Sequence, residues 1–335
     1  MRRLVFGNIV VVCLLCVCMP LHAEVTGECS NCHTMHNSQG GQPMAYHLVN
    51  GQPVASSTPN PMLLVCDCIG CHTSDGTNTI VNGVPIVYNM VSPNKPLAGG
   101  NFYYVINNGN NRGHNVFGIS GPDPNLGNTP PGGTSMSSQL RCAGKYGCHG
   151  DRTIVNQFLA MKGAHHTHDV VLDGSTVGKS YRFLKGVLGK EEPHWEHDAT
   201  SSVHNEYQGA TDFSTSTSIS SLCAQCHGNF HSSTGVGDNS PWFRHPTDII
   251  LPNKGEYQHY NDDTLDYSLI APVARLDPNS VADPSKVVPG QDVVMCLSCH
   301  RAHGSPYYKM LRWDYTNYDL DKALSGCSVC HTNKQ

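Results

Sequence analysis

The sequence predicts a mostly irregular chain with short α-helices and little β-structure. Across its 335 residues, no apolar pattern of helical or strand period runs far enough to define a sheet domain or a helical bundle. Only 14% of the residues are charged, while 33 glycines and 21 prolines favour turns and loops. The third observation is a Cys-x-x-Cys-His motif that occurs five times.

This repeated motif is the attachment site of a c-type heme. Its two thiols form thioethers with the heme, and the histidine that follows supplies one axial ligand to the iron. A single Cys-x-x-Cys could be a redox dithiol or half of a zinc site, but five copies that each precede a histidine disfavour both alternatives. The five sites are Cys29, Cys32 and His33; Cys68, Cys71 and His72; Cys223, Cys226 and His227; Cys296, Cys299 and His300; and Cys327, Cys330 and His331.

A widened copy of the motif predicts a sixth heme. Five residues separate Cys142 from Cys148, and His149 follows directly. The alternative is a disulfide between these two cysteines, with His149 unengaged. Cys66 remains as an odd thiol, either free or bridged to another chain. It could also replace the first cysteine of the second motif, with a four-residue spacer to Cys71.

Six hemes would fill the interior that side chains fill in an ordinary domain. The 312 residues of 24–335, divided by six, leave 52 residues for each heme. Because nothing in 24–335 marks a domain boundary, we expect one elongated hexaheme unit. The predicted fold class is therefore a multiheme cytochrome c, with the polypeptide wrapped around a chain of hemes.

Residues 1–23 are predicted to be a secretory signal peptide. Arg2 and Arg3 precede an apolar run over 9–19, which is too short for a confident membrane span. We expect no membrane span after cleavage, and a protein that is secreted or on the outer cell surface, with the periplasm as the alternative. The remaining 19 basic and 26 acidic side chains give a charge of −7, which makes a nucleic-acid partner unexpected.

Three short elements are predicted between the motifs. Asn82-Gly83 within 79–88 is typical of a small β-hairpin. The aromatic and β-branched residues of 101–106 predict a strand. Residues 152–162 predict a short helix.

Histidines outnumber the ligand positions that six irons would leave. Thirteen histidines of 24–335 lie outside the motifs, twice the six distal ligands required. An iron held on both faces offers no position to a substrate, and this favours electron transfer over catalysis. An enzyme of the multiheme reductase type is the alternative, but no Cys-x-x-Cys-Lys marks an open iron. A zinc-binding adhesin is a third interpretation.

Three distal candidates follow a motif histidine by three or four residues, namely His36, His231 and His303. His36 projects from the same side of a short turn as His33, so it cannot reach the opposite face of the same heme. If His36 binds an iron, that iron belongs to a different heme.

The other distal candidates rest on local sequence. His114 and His245 stand in turns beside Gly or Pro, where the backbone can approach a macrocycle. One of His165 and His166 is expected to serve the remaining heme, and His166 is preferred. The histidines with a weaker case are His47, His168, His194, His197, His204 and His259.

The chain resembles the extracellular multiheme cytochromes that polymerise into conductive filaments, most of all the six-heme OmcS type. The resemblance runs in islands over most of residues 24–335. The most specific are Cys29-Ser-Asn-Cys32-His33-Thr-Met-His36 and Cys296-Leu-Ser-Cys299-His300-Arg-Ala-His303. The others are 61–64, Gly113-His114-Asn115, Pro131-Gly-Gly-Thr134 with 139–140, Arg244-His245-Pro246, and the terminal motif ending at His331.

The resemblance implies hemes with two histidine ligands each, stacked in alternating parallel and crossed pairs. It also implies that His36 binds a heme of the neighbouring protomer, so the partner would be a second copy of the chain. Other redox cytochromes or an extracellular electron acceptor would be further partners. Two features depart from the family: the five-residue spacer before Cys148, and residues 150–220. No histidine closely follows His149, which shifts its expected ligand to 165–168.

Overall fold

The described chain has the predicted fold class: mostly loops and turns, with short helices and little sheet. The computed structural model describes residues 27–49, 52–167, 171–231 and 245–332. The predicted signal peptide and His168 lie outside these residues. No helix of the described ranges is long and apolar enough to cross a bilayer.

The helices are one or two turns long. The α-helices of the described chain are α1 Cys68–Cys71, α2 Tyr103–Asn108, α3 Gln157–Ala160, α4 Ile219–Ala224, α5 Leu320–Ala323 and α6 Cys327–Cys330. Isolated helices this short are unstable in water, so they depend on tertiary contacts. The 3₁₀-helices are Cys29–Asn31, Pro61–Leu63, Asn110–Arg112, Ala164–His166, Tyr181–Phe183, Gly228–Phe230, Gly255–His259, Cys296–Ser298 and Tyr308–Met310.

The strands form isolated pairs rather than a layer. The antiparallel pairs are β1 Ser38–Gln39 with β2 Gln42–Pro43, β3 Ala45–Val49 with β4 Gln52–Ser56, β6 Ile80–Val81 with β7 Val84–Pro85, β9 Gly189–Lys190 with β10 Glu206–Tyr207, and β11 Ile249–Ile250 with β12 Val293–Val294. The parallel pair is β5 Thr73–Ser74 with β8 Tyr88–Asn89. Each strand pair therefore connects two short loop segments, and the described strands do not assemble into a larger sheet.

One of the predicted β elements is present and the other is not. Asn82 and Gly83 adopt φ of 51° and 77° between β6 and β7, as a two-residue hairpin turn requires. The strand expected over 101–106 is wrong, because α2 occupies this region. The Asn101 side chain accepts a hydrogen bond from the Tyr103 N–H at 3.0 Å, and such a contact favours the start of a helix. The helix expected over 152–162 is shortened to α3.

Apolar side chains form small clusters instead of one large core. One cluster contains Tyr181, Tyr207 and Met295; a second contains Leu251, Tyr260 and Val273. A third packs Val105 of α2 against apolar residues that include Leu48 and Ile119. Because these clusters are small, we expect buried polar contacts between loops to contribute strongly to the stability of the fold.

The main buried polar contact is centred on Arg275, which is 4% exposed. Its guanidinium donates to Glu206 Oε2 at 2.9 Å and to Asp292, and also to the Lys286 carbonyl at 2.9 Å. Burial raises the pKa of Glu206, an effect that the charge of Arg275 opposes. The contact fastens β10 to the loop before β12.

Replacing Arg275 with Leu should lower the unfolding free energy by about 3–5 kcal/mol, because two buried carboxylates lose their cation. Chemical denaturation measures the change. Lys286→Leu is the control, since its ion pair with Asp266 is exposed and should contribute about 1 kcal/mol or less. Equal effects of the two substitutions would contradict this account.

Candidate heme-binding site

All six attachment motifs open onto one continuous cavity. Its volume is about 3150 Å³, and its lining includes every cysteine and histidine of the five regular motifs and of the widened one. A pocket for one drug-sized molecule has roughly 300–1,000 Å³. This cavity has the size for several large ligands, and its wall is mainly apolar.

The same backbone turn forms each attachment motif. In all six, the N–H of the motif histidine donates to the carbonyl of the first cysteine, at 2.8–3.2 Å. The widened motif conforms to this pattern, because the His149 N–H donates to the Cys142 carbonyl at 3.0 Å. Its extra residues fold into a separate turn, in which the Gly147 N–H donates to the Gly144 carbonyl. The widened motif thus presents its cysteines as the regular motifs do.

Each motif histidine is oriented through its Nδ1 atom. In five motifs Nδ1 donates to a backbone carbonyl at 2.7–3.0 Å, and in the sixth it donates to a Glu256 carboxylate oxygen at 2.8 Å. A second partner on Nδ1 fixes the ring and leaves Nε2 free to bind a metal. The carbonyls belong to Met62 (for His33), Pro85 (for His72), Arg182 (for His149), Pro131 (for His227) and Lys309 (for His300), and Glu256 serves His331.

Five motif histidines face a second histidine across a constant gap. Two imidazoles that bind one metal ion from opposite sides have ring centres about 6 Å apart, because each metal–nitrogen bond is about 2 Å. The ring centres of the five pairs are 6.0–6.4 Å apart. The pairs are His33 with His166, His72 with His165, His114 with His227, His149 with His303, and His245 with His331.

The adjacent residues His165 and His166 face two different motif histidines. Sequence reasoning selected only His166, and it assigned this segment to the third motif. Instead, His165 faces His72, and the third motif's His149 faces His303. Neighbouring side chains at the end of a 3₁₀-helix point in different directions, so both can serve.

The turns that carry His114 and His303 interlock. The His114 Nδ1 donates to the Ala302 carbonyl at 2.6 Å, and its N–H donates to the His303 carbonyl at 3.3 Å. A Cβ on Gly113 would lie 2.3 Å from that same His303 oxygen. The glycine beside His114 is therefore needed for close approach of another backbone segment.

His231 occupies a different place from the one its four-residue offset predicts. Its Nε2 donates to Asp248 Oδ2 at 2.8 Å, in a buried pair that Ser218 completes at 2.6 Å. Its ring packs edge-on against Phe213 and does not line the cavity. In this structure His231, which follows the turn Gly228–Phe230, is bonded to Asp248, and the expectation that it is a ligand stays a prediction.

Of the six motif histidines, His300 is left without a facing histidine ring. His300 lines the cavity with its Nδ1 bonded to the Lys309 carbonyl, yet no described histidine ring faces it as the other five are faced. His36 is exposed, next to Met35 at 93% exposure, and it does not line the cavity. Within the described ranges one motif histidine thus lacks a facing ring. Several histidines there face no motif histidine, and of these His194 alone lines the cavity; they are His36, His47, His194, His197, His204, His231 and His259.

Burial keeps the inner histidines neutral, as metal ligands must be. It lowers the pKa of His114 and of His165 to about 4, and that of His303 to about 3. The pKa values of His72, His149, His227, His245 and His300 are lowered for the same reason. Near neutral pH these imidazoles offer a lone pair to a metal.

Each attachment motif has a thiol close to a thiol of the next motif along the chain, from the first motif to the sixth. Burial, and then a thiol of the next motif, raises the pKa of Cys299 to about 12 and raises that of Cys32. The thiol of a neighbouring motif likewise raises the pKa of Cys142 and that of Cys223, with burial adding to the effect. The neighbouring thiols are Cys32 with Cys71, Cys68 with Cys142, Cys148 with Cys226, Cys223 with Cys296, and Cys299 with Cys330.

The odd thiol lies beside the second motif. Cys66 is buried, and its Sγ is 3.2 Å from that of Cys71. All described cysteines are free thiols, so Cys142 and Cys148 do not form the alternative disulfide. No three His, Cys, Asp or Glu side chains within the described ranges are grouped to hold a metal ion by themselves. The residues present fit a macrocycle that brings its own metal-binding nitrogens.

Comparison with known proteins places these features in context. A family profile for the doubled CXXCH motif matches residues 287–335. The C-type cytochrome OmcS of Geobacter sulfurreducens is 25% identical over 88% of this chain and 80% of its own length. The chain is OmcS-like in sequence and in fold.

Two solved structures carry the likeness in fold. The outer membrane cytochrome S filament of Geobacter sulfurreducens aligns with a TM-score of 0.51 and 22% identity, over 88% of this chain and 85% of the filament chain. The OmcS nanowires of the same organism, seen by cryo-EM, align with a TM-score of 0.51 and 21% identity, over 93% of each chain. The names of the two structures describe a filament and nanowires.

Changing both Cys142 and Cys148 to Ser should remove one heme from the secreted protein, because the widened turn presents both thiols as the regular motifs do. Mass spectrometry of the intact protein counts the hemes. Cys66→Ser should leave the count unchanged, and a loss of one heme from this variant alone would reassign the second motif.

His165→Ala and His166→Ala should each leave one iron five-coordinate and high-spin, since each histidine faces a different motif histidine. The double variant should show two such irons. EPR of the oxidised protein measures this, with His259→Ala as a control outside the cavity. A single high-spin iron in the double variant would show that only one of the two residues is a ligand.

Proposed function

We propose that the protein transfers electrons outside the cell through six covalently bound c-type hemes, and that it works as a head-to-tail polymer. The observation that carries the proposal is the pairing of histidines. Five motif histidines have a partner at the spacing that one shared iron requires, and His300 has none within the described chain. His36 is the exposed histidine three residues beyond a motif histidine, and it is the one proposed to complete this site.

His36 would bind the iron held by His300 in the next copy of the chain. Within one protomer, His36 follows directly from the first motif, where the 3₁₀-helix Cys29–Asn31 and the Leu63 carbonyl, which accepts from the Thr34 N–H at 2.7 Å, fix the backbone. Its neighbour Met35 exposes an apolar side chain, which a contact between copies at His36 would cover. Each protomer would then offer one ligand and accept one, which produces an open filament.

The attachment cysteines support a count of six. Consecutive motifs place their thiols side by side from the first motif to the last, and the widened motif stands third in this row. When bound, the hemes supply one-electron chemistry at iron. The chain would fix their order, hold five of the six irons on both faces and surround the row with apolar side chains.

An iron with a histidine on each of its two faces has no position left for a substrate, and this argues against an enzyme. A catalyst needs an iron with an exchangeable position, and the five histidine pairs leave none at their irons. The sixth position would be closed by the neighbouring copy. Electron transfer is therefore the proposed function, with another cytochrome or an extracellular acceptor receiving the electrons.

The setting of the protein follows from the same proposal. Residues 1–23 would direct export, and filaments would form on the outer surface or beyond it. A monomeric periplasmic carrier would show no filaments in the secreted fraction. Residues 24–335 would act as one unit, since the row of thiols runs through all of the motifs.

His36→Ala should abolish filaments while leaving six hemes attached, because it removes only the ligand that crosses between copies. One iron in six, that of His300, should become high-spin. Negative-stain microscopy and EPR measure the two effects, and His47→Ala in strand β3 is the matched control. Filaments of unchanged length from the His36 variant would contradict the linkage.

A further inference from the structure

Glu256 distinguishes one attachment histidine from the other five. The Nδ1 of His331 donates to Glu256 Oε1 at 2.8 Å. The corresponding atom of each other motif histidine donates to a neutral backbone carbonyl at 2.7–3.0 Å. A hydrogen bond to a carboxylate is charge-assisted and stronger than one to a carbonyl. His331 is thus the motif histidine whose Nδ1 is bonded to a carboxylate.

The surrounding structure holds this contact in place. Glu256 belongs to the 3₁₀-helix Gly255–His259, and its carbonyl accepts a hydrogen bond from the Thr332 hydroxyl at 2.6 Å. The Tyr257 ring stands edge-on to the His331 ring, with ring centres 5.0 Å apart. The side chains of His331 and Glu256 are 25% and 19% exposed, so solvent screens their interaction only in part.

Building on the proposed function, we propose that Glu256 gives the heme at Cys327 and Cys330 the lowest reduction potential of the six. A carboxylate partner makes a metal-bound imidazole more basic. A more basic ligand and a nearby negative charge both favour ferric over ferrous iron, since the ferric form carries one more positive charge.

Glu256 would act on a bound heme through His331. The imidazole would hold the iron, which would exchange one electron with a neighbouring heme, and His331 would keep its Nδ1 proton in both oxidation states. No bond to the protein forms or breaks in this step. Glu256 acts only as a positioning residue that changes the energy of the two iron states.

The heme with the lowered reduction potential would lie at the end of the row of hemes. Its Cys330 neighbours Cys299 of the preceding motif, and the row of thiols ends here. The terminal heme would be the last to be reduced and the first to be reoxidised. In each copy of a filament, electron transfer onto the heme at Cys327 and Cys330 would therefore be the unfavourable step.

The experiment compares Glu256→Gln with the unchanged protein in a redox titration followed by EPR. Gln keeps a hydrogen-bond acceptor but removes the charge. The most negative of the six one-electron steps should move positive by at least tenfold in its equilibrium constant, which is about 59 mV for one electron. Asp263→Asn, which removes an exposed carboxylate nearby in the sequence, should leave all steps in place.

Superimposable titrations of the two proteins with six hemes attached would overturn the role of Glu256. A shift of any step other than the most negative one would do the same. Fewer than six hemes in the unchanged protein would instead count against the proposed function.

A second variant marks the terminal heme independently. His245→Met should raise the potential of the same iron, because a thioether ligand favours the ferrous form. In the titration it should move the most negative step. If it moves a different step, the terminal heme is not the most reducing one, and the proposal fails whether or not the Glu256 variant folds.

Discussion

The structure depends on a fixed gap between facing imidazoles. A metal ion bound to two histidines needs both rings on one axis at one separation, and five pairs meet this spacing at 6.0–6.4 Å. Backbone carbonyls orient five of the six motif rings, and short turns bring the motif thiols to the cavity. An irregular chain suits this task, because loops can place single side chains independently.

The same constraint singles out one motif histidine of the described chain. His300 is oriented like the other motif histidines, but the described chain offers it no facing ring. His36 lies outside the cavity and cannot serve the heme that His33 holds. The proposed polymer satisfies both residues with one contact, and it repeats that contact without closing.

Features that depend on a few consecutive residues could be predicted from the sequence. The attachment motifs, including the one that ends at His149, follow from spacing alone, and the Asn82-Gly83 hairpin follows from turn chemistry. Pairing between distant segments could not be predicted, because His303 faces His149 across 154 positions of sequence. His165 was considered only as the alternative to His166, because one histidine was expected to serve that segment. The offset of His231 gave no sign of its Asp248 partner.

A cryo-EM map of the secreted protein tests the central claim most directly. The account predicts a heme between the members of each of the five histidine pairs, and a sixth whose iron is bound by His300 of one copy and His36 of the next. A map in which His300 and a histidine of its own chain hold the sixth iron would contradict the account. So would a sixth iron with an open axial position.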